Sequence, residues 1–256
     1  MRLDPLPALS DNYIWLLANA NGHALVVDPG EAEPVEAALA RDGLQLKAIL
    51  LTHHHADHVA GAESLRARHA AVVYGPDDDR VQTIDVRVGE GDVVELDAPR
   101  VRFQVWAVPG HTRTHIAFVG EGLLFCGDTL FSLGCGRLFE GTPQQMLQSL
   151  DRLSTLPGST QVCCGHEYTV SNAAFARSIE PDNAALAQRT ERARQATQAG
   201  HSSLPSRLDE ERAANPFLRI DAAGVKQWVG MHAPHAANNR VERFAALRAA
   251  KDGFRA

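Results

Sequence analysis

A chain of 256 residues, 45% of them hydrophobic, is long enough for one large domain or a domain with an appendage, and its core-forming content excludes disorder. A formal net charge of -6 argues against a general nucleic-acid or membrane-surface binder. No stretch approaches the roughly 18 to 20 apolar residues of a membrane span, and residues 1–5 lack the apolar segment of a signal peptide. The expectation is a cytoplasmic protein without membrane or nucleic-acid partners.

Residues 1–9, 13–18 and 23–28 read as strands, with Asn21-Gly22 as a tight-hairpin signal between the second and third. Residues 31–41 read as a helix presenting Val35, Ala38 and Leu39 on one face. The apolar run 46–51 is a short buried strand. A single helix is expected to begin at Asp57 and run to Arg68. From residue 71 to 118 the signals are mainly β, with runs at 72–74, 93–96 and 101–108. Asp77-Asp78-Asp79-Arg80 reads as a solvated turn. A hairpin through Gly120-Glu121-Gly122 joins runs 116–119 and 123–126. Pro143 to Leu153 reads as a helix capped by Thr142, and 161–164 as a strand. Beyond residue 169 the β signal almost vanishes, and helices are expected at 170–178, 184–199, 223–229 and 240–251. The boundary between an α/β part and a helical part falls near 167–172. The tail, with Arg240, Arg243, Arg248, Lys251 and Arg255, reads as a local basic patch.

Between the strand end at Leu51 and the helix start lies Thr52-His53-His54-His55-Ala56-Asp57-His58. Four imidazoles and a carboxylate crowded there are costly without an ion, and they are the donors that suit zinc, iron and manganese. Alternate side chains of an extended segment point the same way, so His53 and His55 can converge while His54 points off. Three later strand ends each deliver one more donor behind a glycine: His111 in P-G-H-T, Asp128 in C-G-D-T and His166 in C-G-H-E. Seven ligands exceed the three or four of one zinc ion. They divide into His53, His55 and His111 for one divalent ion and Asp57, His58 and His166 for a second, with Asp128 and a hydroxide shared. Asp28 is either a partner of a ligand imidazole or a turn cap, and His54 and His115 are expected to be non-ligands. The four cysteines contain no C-x-x-C pair and predict no disulfide framework, Cys126 and Cys163 being core residues.

The T-H-H-H-A-D-H run with its downstream His, Asp and His resembles the metallo-β-lactamase superfamily. More narrowly, the chain resembles the glyoxalase II (hydroxyacylglutathione hydrolase) family. The residues that carry this likeness are 11–15 (DNYIW), 126–131 (CGDTLF), 134–142 (GCGRLFEGT), 164–169 (CGHEYT), 215–219 (NPFLR) and 248–252 (RAAKD). The resemblance implies an αββα sandwich over residues 1–168 and a helical domain over 169–256 that contributes to the substrate site. It implies hydrolysis of S-D-lactoylglutathione to D-lactate and glutathione, the second step of methylglyoxal detoxification, by a hydroxide bridging two metal ions, most readily Zn2+ with Fe or Mn as alternatives. Asp57 would orient that hydroxide or take its proton. By position Arg137, Tyr168, Arg248 and Lys251 match residues that hold the glutathione moiety, and Phe139 stands where some members have a contacting Tyr. A monomer is expected. The runner-up is another superfamily enzyme, a lactonase or a persulfide dioxygenase with a single iron.

Overall fold

The computed structural model describes residues 1–255, which divide into two compact units. The first comprises Met1–Ala107, Thr114–Gly127 and Cys163–His166; the second comprises Val108–Arg113, Asp128–Val162 and the chain from Glu167 onward.

The first unit begins with β1 (Arg2–Ala8), β2 (Asn12–Ala18), β3 (His23–Val27), α1 (Glu33–Asp42), β4 (Gln45–Leu50), α2 (Ala56–Val59), α3 (Ala62–His69), β5 (Val72–Gly75) and β6 (Val86–Arg87). The six strands form one sheet in sequence order, antiparallel from β1 to β3 and parallel from β3 to β6. Every residue of β2 is buried, as a continuous apolar run predicts for a strand covered on both faces. Val35, Ala38 and Leu39 of α1 and Leu65 of α3 join the same core cluster as Leu16, Val26 and Ile49 of the sheet. The unit's other strands are β7 (Val93–Asp97), β8 (Arg100–Ala107), β9 (Ile116–Gly120) and β10 (Leu123–Gly127). They lie in the order β10-β9-β8-β7. β8 alternates exposed and buried residues from Arg100 to Val105, the mark of a strand wet on one face. Between β9 and β10, Glu121 and Gly122 both have positive φ, 54° and 75°, as a two-residue hairpin turn requires.

The second unit contains β11 (Leu130–Phe131) and β12 (Gly134–Cys135), which pair as a small hairpin, then α4 (Pro143–Leu153). Thr142 and Gln145 close a capping box at the start of α4. The first residues of β13 (Gln161–Cys164) pair with β14 (Ser206–Arg207). The rest is helical: α5 (Thr169–Ile179), α6 (Ala184–Gln198), α7 (Leu208–Ala214), α8 (Ala223–His232) and α9 (Arg240–Gly253), with a 3-10 turn at Pro234–Ala236.

Several expectations are corrected. The helix foreseen from Asp57 to Arg68 is two helices, because the Gly61 N–H leaves the helical pattern to donate to the Pro29 carbonyl at 2.9 Å. The Asn21-Gly22 hairpin is a longer loop, in which the Asn19 side chain accepts from the N–H groups of Asn21 and His23. The acidic run 77–80 is not simply solvated: Asp78 is buried and accepts from Arg80 and from the Thr114 hydroxyl at 2.6 Å. Strands β6 and β14 and helix α7 carried no clear sequence signal. The basic tail is largely neutralised, since Arg240 pairs with Asp151 and Asp221, and Arg243 with Asp221.

One close approach positions the site. A Cβ on Gly30 would stand 1.9 Å from the carbonyl oxygen of Asp57, a backbone atom with little room to retreat. Gly30→Ala is therefore expected to cost about 1–3 kcal/mol through overpacking, read as a lower urea midpoint with an unchanged m-value. An unchanged midpoint would show that the Asp57 segment yields freely.

Candidate metal centre

In the first unit the histidine run begins where β4 ends, and it is anchored by Asp28, which follows β3. Asp28 is buried with φ 52°, a left-handed conformation that Asp tolerates better than most residues. Its carboxylate accepts from the Thr52 N–H at 2.7 Å, from the Thr52 hydroxyl at 2.7 Å and from His58 Nδ1 at 3.1 Å. The single Thr52 hydroxyl proton is thus spent on Asp28, so the contact between Thr52 Oγ1 and His53 Nδ1, 3.0 Å, has the imidazole as donor. His166 Nδ1 donates to Asp11 Oδ1 at 2.7 Å. His53, His58 and His166 are all thereby held as Nδ1–H tautomers, with the Nε2 lone pair turned the other way.

Two of those lone pairs converge. His58 Nε2 and His166 Nε2 are 3.3 Å apart, and each is 3.4 Å from Asp57 Oδ2. Donor atoms about 2.0–2.1 Å from a tetrahedral zinc ion lie about 3.3–3.4 Å from one another, so the three edges match those of a metal-binding face. Two imidazole acceptors and a carboxylate facing one another at this range repel unless a cation sits among them. The donor set therefore fits a divalent ion. Asn12 Nδ2 donates to the Asp57 carboxylate at 3.0 Å. Asp28, His53 and His58 form a second group whose ligand atoms lie within 4.8 Å of one another. The His55 ring is 4.7 Å from that of His53. His54 Nδ1 lies 3.5 Å from Asp78, away from the converging atoms. His115 stacks on His53 at 4.6 Å and has its Nδ1 3.0 Å from the Ile116 carbonyl, a packing role.

In the second unit His111 and Asp128 meet, with His111 Nε2 3.5 Å from Asp128 Oδ2. The carbonyl of Arg137 accepts from His111 Nδ1 at 2.9 Å, which fixes the same tautomer as in the other three histidines. Both residues line a cavity of about 430 Å³ together with Arg137, Tyr168, Arg248 and Lys251. Tyr168 packs edge-on against Phe131, ring centroids 5.2 Å apart. Arg248 is 5% exposed and donates to the Cys135 carbonyl at 2.6 Å and to Asp252 at 3.1 Å. The Lys251 ammonium lies over the rings of Phe175 and Phe254. Burial, followed by the charges of Arg248 and Arg137, pulls its pKa below the ordinary lysine value. Phe139 is 62% exposed and turns its ring edge to His111.

Each sequence-predicted residue thus falls in one of two groups. His53, His55, Asp57, His58 and His166 gather in the first unit; His111, Asp128, Arg137, Tyr168, Arg248 and Lys251 line or border the cavity of the second. Sequence reasoning assigned no role to Asp11 and Asn12, although the pair sits at the start of a strand, where a side chain can reach a neighbouring strand end. It also missed Cys135, Ser171, Asn172 and Phe254 as cavity-lining residues, for which helical spacing gives no sign.

Comparison with known proteins agrees with this geometry. Residues 9–166 match the model of the metallo-beta-lactamase superfamily, and residues 167–254 match that of the hydroxyacylglutathione hydrolase C-terminus. A hydroxyacylglutathione hydrolase of Xanthomonas axonopodis pv. citri is 52% identical over 257 residues, 100% of both chains. Among solved structures, ETHE1 from Myxococcus xanthus has a TM-score of 0.66 at 28% identity over 98% of both chains. A protein solved in a di-iron-bound form has a TM-score of 0.54 at 30% identity, covering 64% of this chain and 91% of its own. These likenesses establish the αββα sandwich with a C-terminal helical region. Among the described residues no helix is long and apolar enough to cross a membrane.

Asp11 is 41% exposed through its side chain, so its loss should spare the fold. Asp11→Ala is expected to weaken divalent-metal affinity about 10- to 100-fold, measured by chelator competition, with an unchanged unfolding midpoint. Unaltered affinity would remove His166 from the ligand set.

Proposed function

Because the chain belongs to the hydroxyacylglutathione hydrolase family of the metallo-β-lactamase superfamily, we propose that it hydrolyses S-D-lactoylglutathione to D-lactate and glutathione, the second step of methylglyoxal detoxification. Water adds to the thioester carbonyl, the C–S bond breaks, and the sulfur leaves as glutathione thiol. The observation that carries this reading is the cavity of about 430 Å³, lined by the ligand-type pair His111 and Asp128 and by the cationic side chains of Arg137, Arg248 and Lys251. Glutathione carries two carboxylates, and such a cavity offers them charge-assisted hydrogen bonds.

The proposed ligands are His53, His55 and His111 for one ion, Asp57, His58 and His166 for the other, and Asp128 for both, with Zn2+ as the metal. The di-iron-bound relative supports a pair of metals on this fold. Bound divalent ions supply Lewis acidity, making water nucleophilic at neutral pH and drawing charge from the thioester carbonyl. Asp57, whose carboxylate accepts from Asn12 Nδ2, orients the attacking water or takes its proton. Asp11, Asp28 and the Arg137 carbonyl keep the imidazoles in the required tautomer. Arg137, Tyr168, Arg248 and Lys251 hold the glutathione part. A thiolate is a good leaving group, so no dedicated general acid is needed. The functional division falls between residues 1–168 and 169–256, supported by the two family models, which meet at residues 166 and 167. The enzyme works as a cytoplasmic monomer.

Purified protein should consume S-D-lactoylglutathione, lose activity on chelation and recover it with Zn2+. Metal-replete protein that leaves the thioester intact would sink the proposal. Lys251→Ala should raise KM roughly tenfold while changing kcat little, the pattern of lost uniform binding. The pH dependence has a definite sign. The free-enzyme pKa of Lys251 is lowered, and a bound carboxylate would raise it, so binding is strongest below the lowered pKa. KM should therefore be flat below that pKa and rise as pH climbs through it, and Lys251→Ala should abolish the rise. A KM independent of pH up to the ordinary lysine range would remove Lys251 from substrate binding.

A further inference from the structure

Arg248 faces two ways, and only one of them concerns substrate. Its Nη1 donates to the Cys135 carbonyl at 2.6 Å, and its Nη2 to Asp252. Its guanidinium lies over the Phe217 ring at 5.2 Å. The next residue, Gly136, donates to the Thr129 carbonyl at 3.1 Å and passes so close to Asp128 that a Cβ there would meet the Asp128 carbonyl oxygen at 1.9 Å. One residue on, the Arg137 carbonyl takes the Nδ1 proton of His111. The three peptides from Cys135 to Arg137 thus form a short strap between the helix α9 guanidinium and a ligand-type imidazole.

We infer that Arg248 is a positioning residue for His111, acting through the backbone of Cys135–Arg137. The chemistry is directional. A main-chain carbonyl only accepts, so while the Arg137 oxygen stays in place His111 keeps its proton on Nδ1 and its lone pair on Nε2. That oxygen cannot swing freely: Gly136 is wedged against Asp128 on one side, and Cys135 is fixed by a charge-assisted hydrogen bond on the other. Asp252 sits 3.5 Å from Arg137 Nε as well as against Arg248, so it holds both ends of the strap. Arg248 lines the cavity, and its Nη2 carries a second N–H beyond the one given to Asp252. An anion in the cavity can therefore engage the guanidinium without displacing the strap, and one side chain can serve ligand and imidazole together. The metal part of this inference rests on His111 being a ligand, as proposed above; the tautomer part does not.

The test uses the full-length chain, stripped of metal and 15N-labelled at histidine, at a pH where the imidazole is neutral. His111 is assigned by difference against His111→Gln. Arg248→Met keeps the stem over Phe217 but removes every donor. It should convert the His111 signals from one Nδ1–H tautomer to a mixture and lower Zn2+ affinity about tenfold by chelator competition. Arg248→Lys, which retains one cationic donor, should restore both. Should Arg248→Met not fold, Asp252→Ala, whose side chain is 42% exposed, is expected to shift the same signals part of the way. An unchanged tautomer and affinity in the variant that folds, with only KM raised, would overturn the inference and leave Arg248 a substrate contact. If instead His111→Gln binds its full complement of metal, the ligand assignment fails, while the tautomer comparison in the metal-free chain still decides the strap.

Discussion

The first unit depends on one carboxylate. Asp28 follows β3 in a left-handed backbone conformation and gathers three donors from two later segments, the N–H and hydroxyl of Thr52 and the Nδ1 of His58. Because it is buried, each of those donors would otherwise carry a desolvation cost of about 1–3 kcal/mol. By taking both Thr52 protons, Asp28 also decides the tautomer of His53, which it never touches. One side chain therefore sets the direction of two imidazoles, and the rest of the histidine run follows from the turn it stabilises.

Much of this was legible in the sequence because the donors are nearly contiguous. His53, His55, Asp57 and His58 follow one strand end, and His111, Asp128 and His166 each follow a glycine at a later strand end. Apolar runs gave β2, β3, β4, β8 and β10 to within a residue or two, and the Thr142 box gave α4. What stayed hidden was decided by residues distant along the chain. The break between α2 and α3 needs the Pro29 carbonyl. The burial of Asp78 needs Thr114. The basic tail looked like a patch because Asp151 and Asp221, which neutralise Arg240 and Arg243, lie outside it. Asp28 was legible only as one of two alternatives, since nothing local says whether a carboxylate after a strand caps a turn or turns an imidazole.

In the second unit the helices pin the small hairpin β11–β12 through buried polar groups rather than through apolar packing alone. Asn172 of α5 donates to the Ser132 carbonyl. Glu211 of α7 accepts from the Ser132 hydroxyl and the Leu133 N–H. Asn215 donates to the carbonyls of Phe131 and Gly134, and Arg248 reaches Cys135. Satisfied networks of this kind specify one arrangement where apolar contacts would tolerate several. The hairpin needs that precision, because the chain enters it from Asp128 and leaves it toward the carbonyl that holds His111.

Cys135 sits in the wall of that cavity, and burial pushes its thiol up to about 11, against a smaller opposing pull from Arg248. At neutral pH only about one molecule in ten thousand would then carry the thiolate form, which is the form that attacks acyl carbon and disulfide sulfur. If this cavity takes the thioester as proposed, a reactive thiolate there would invite acyl exchange onto its own wall. A sulfur kept protonated would stay a spectator, and the acyl group would pass to water instead of being trapped on the protein.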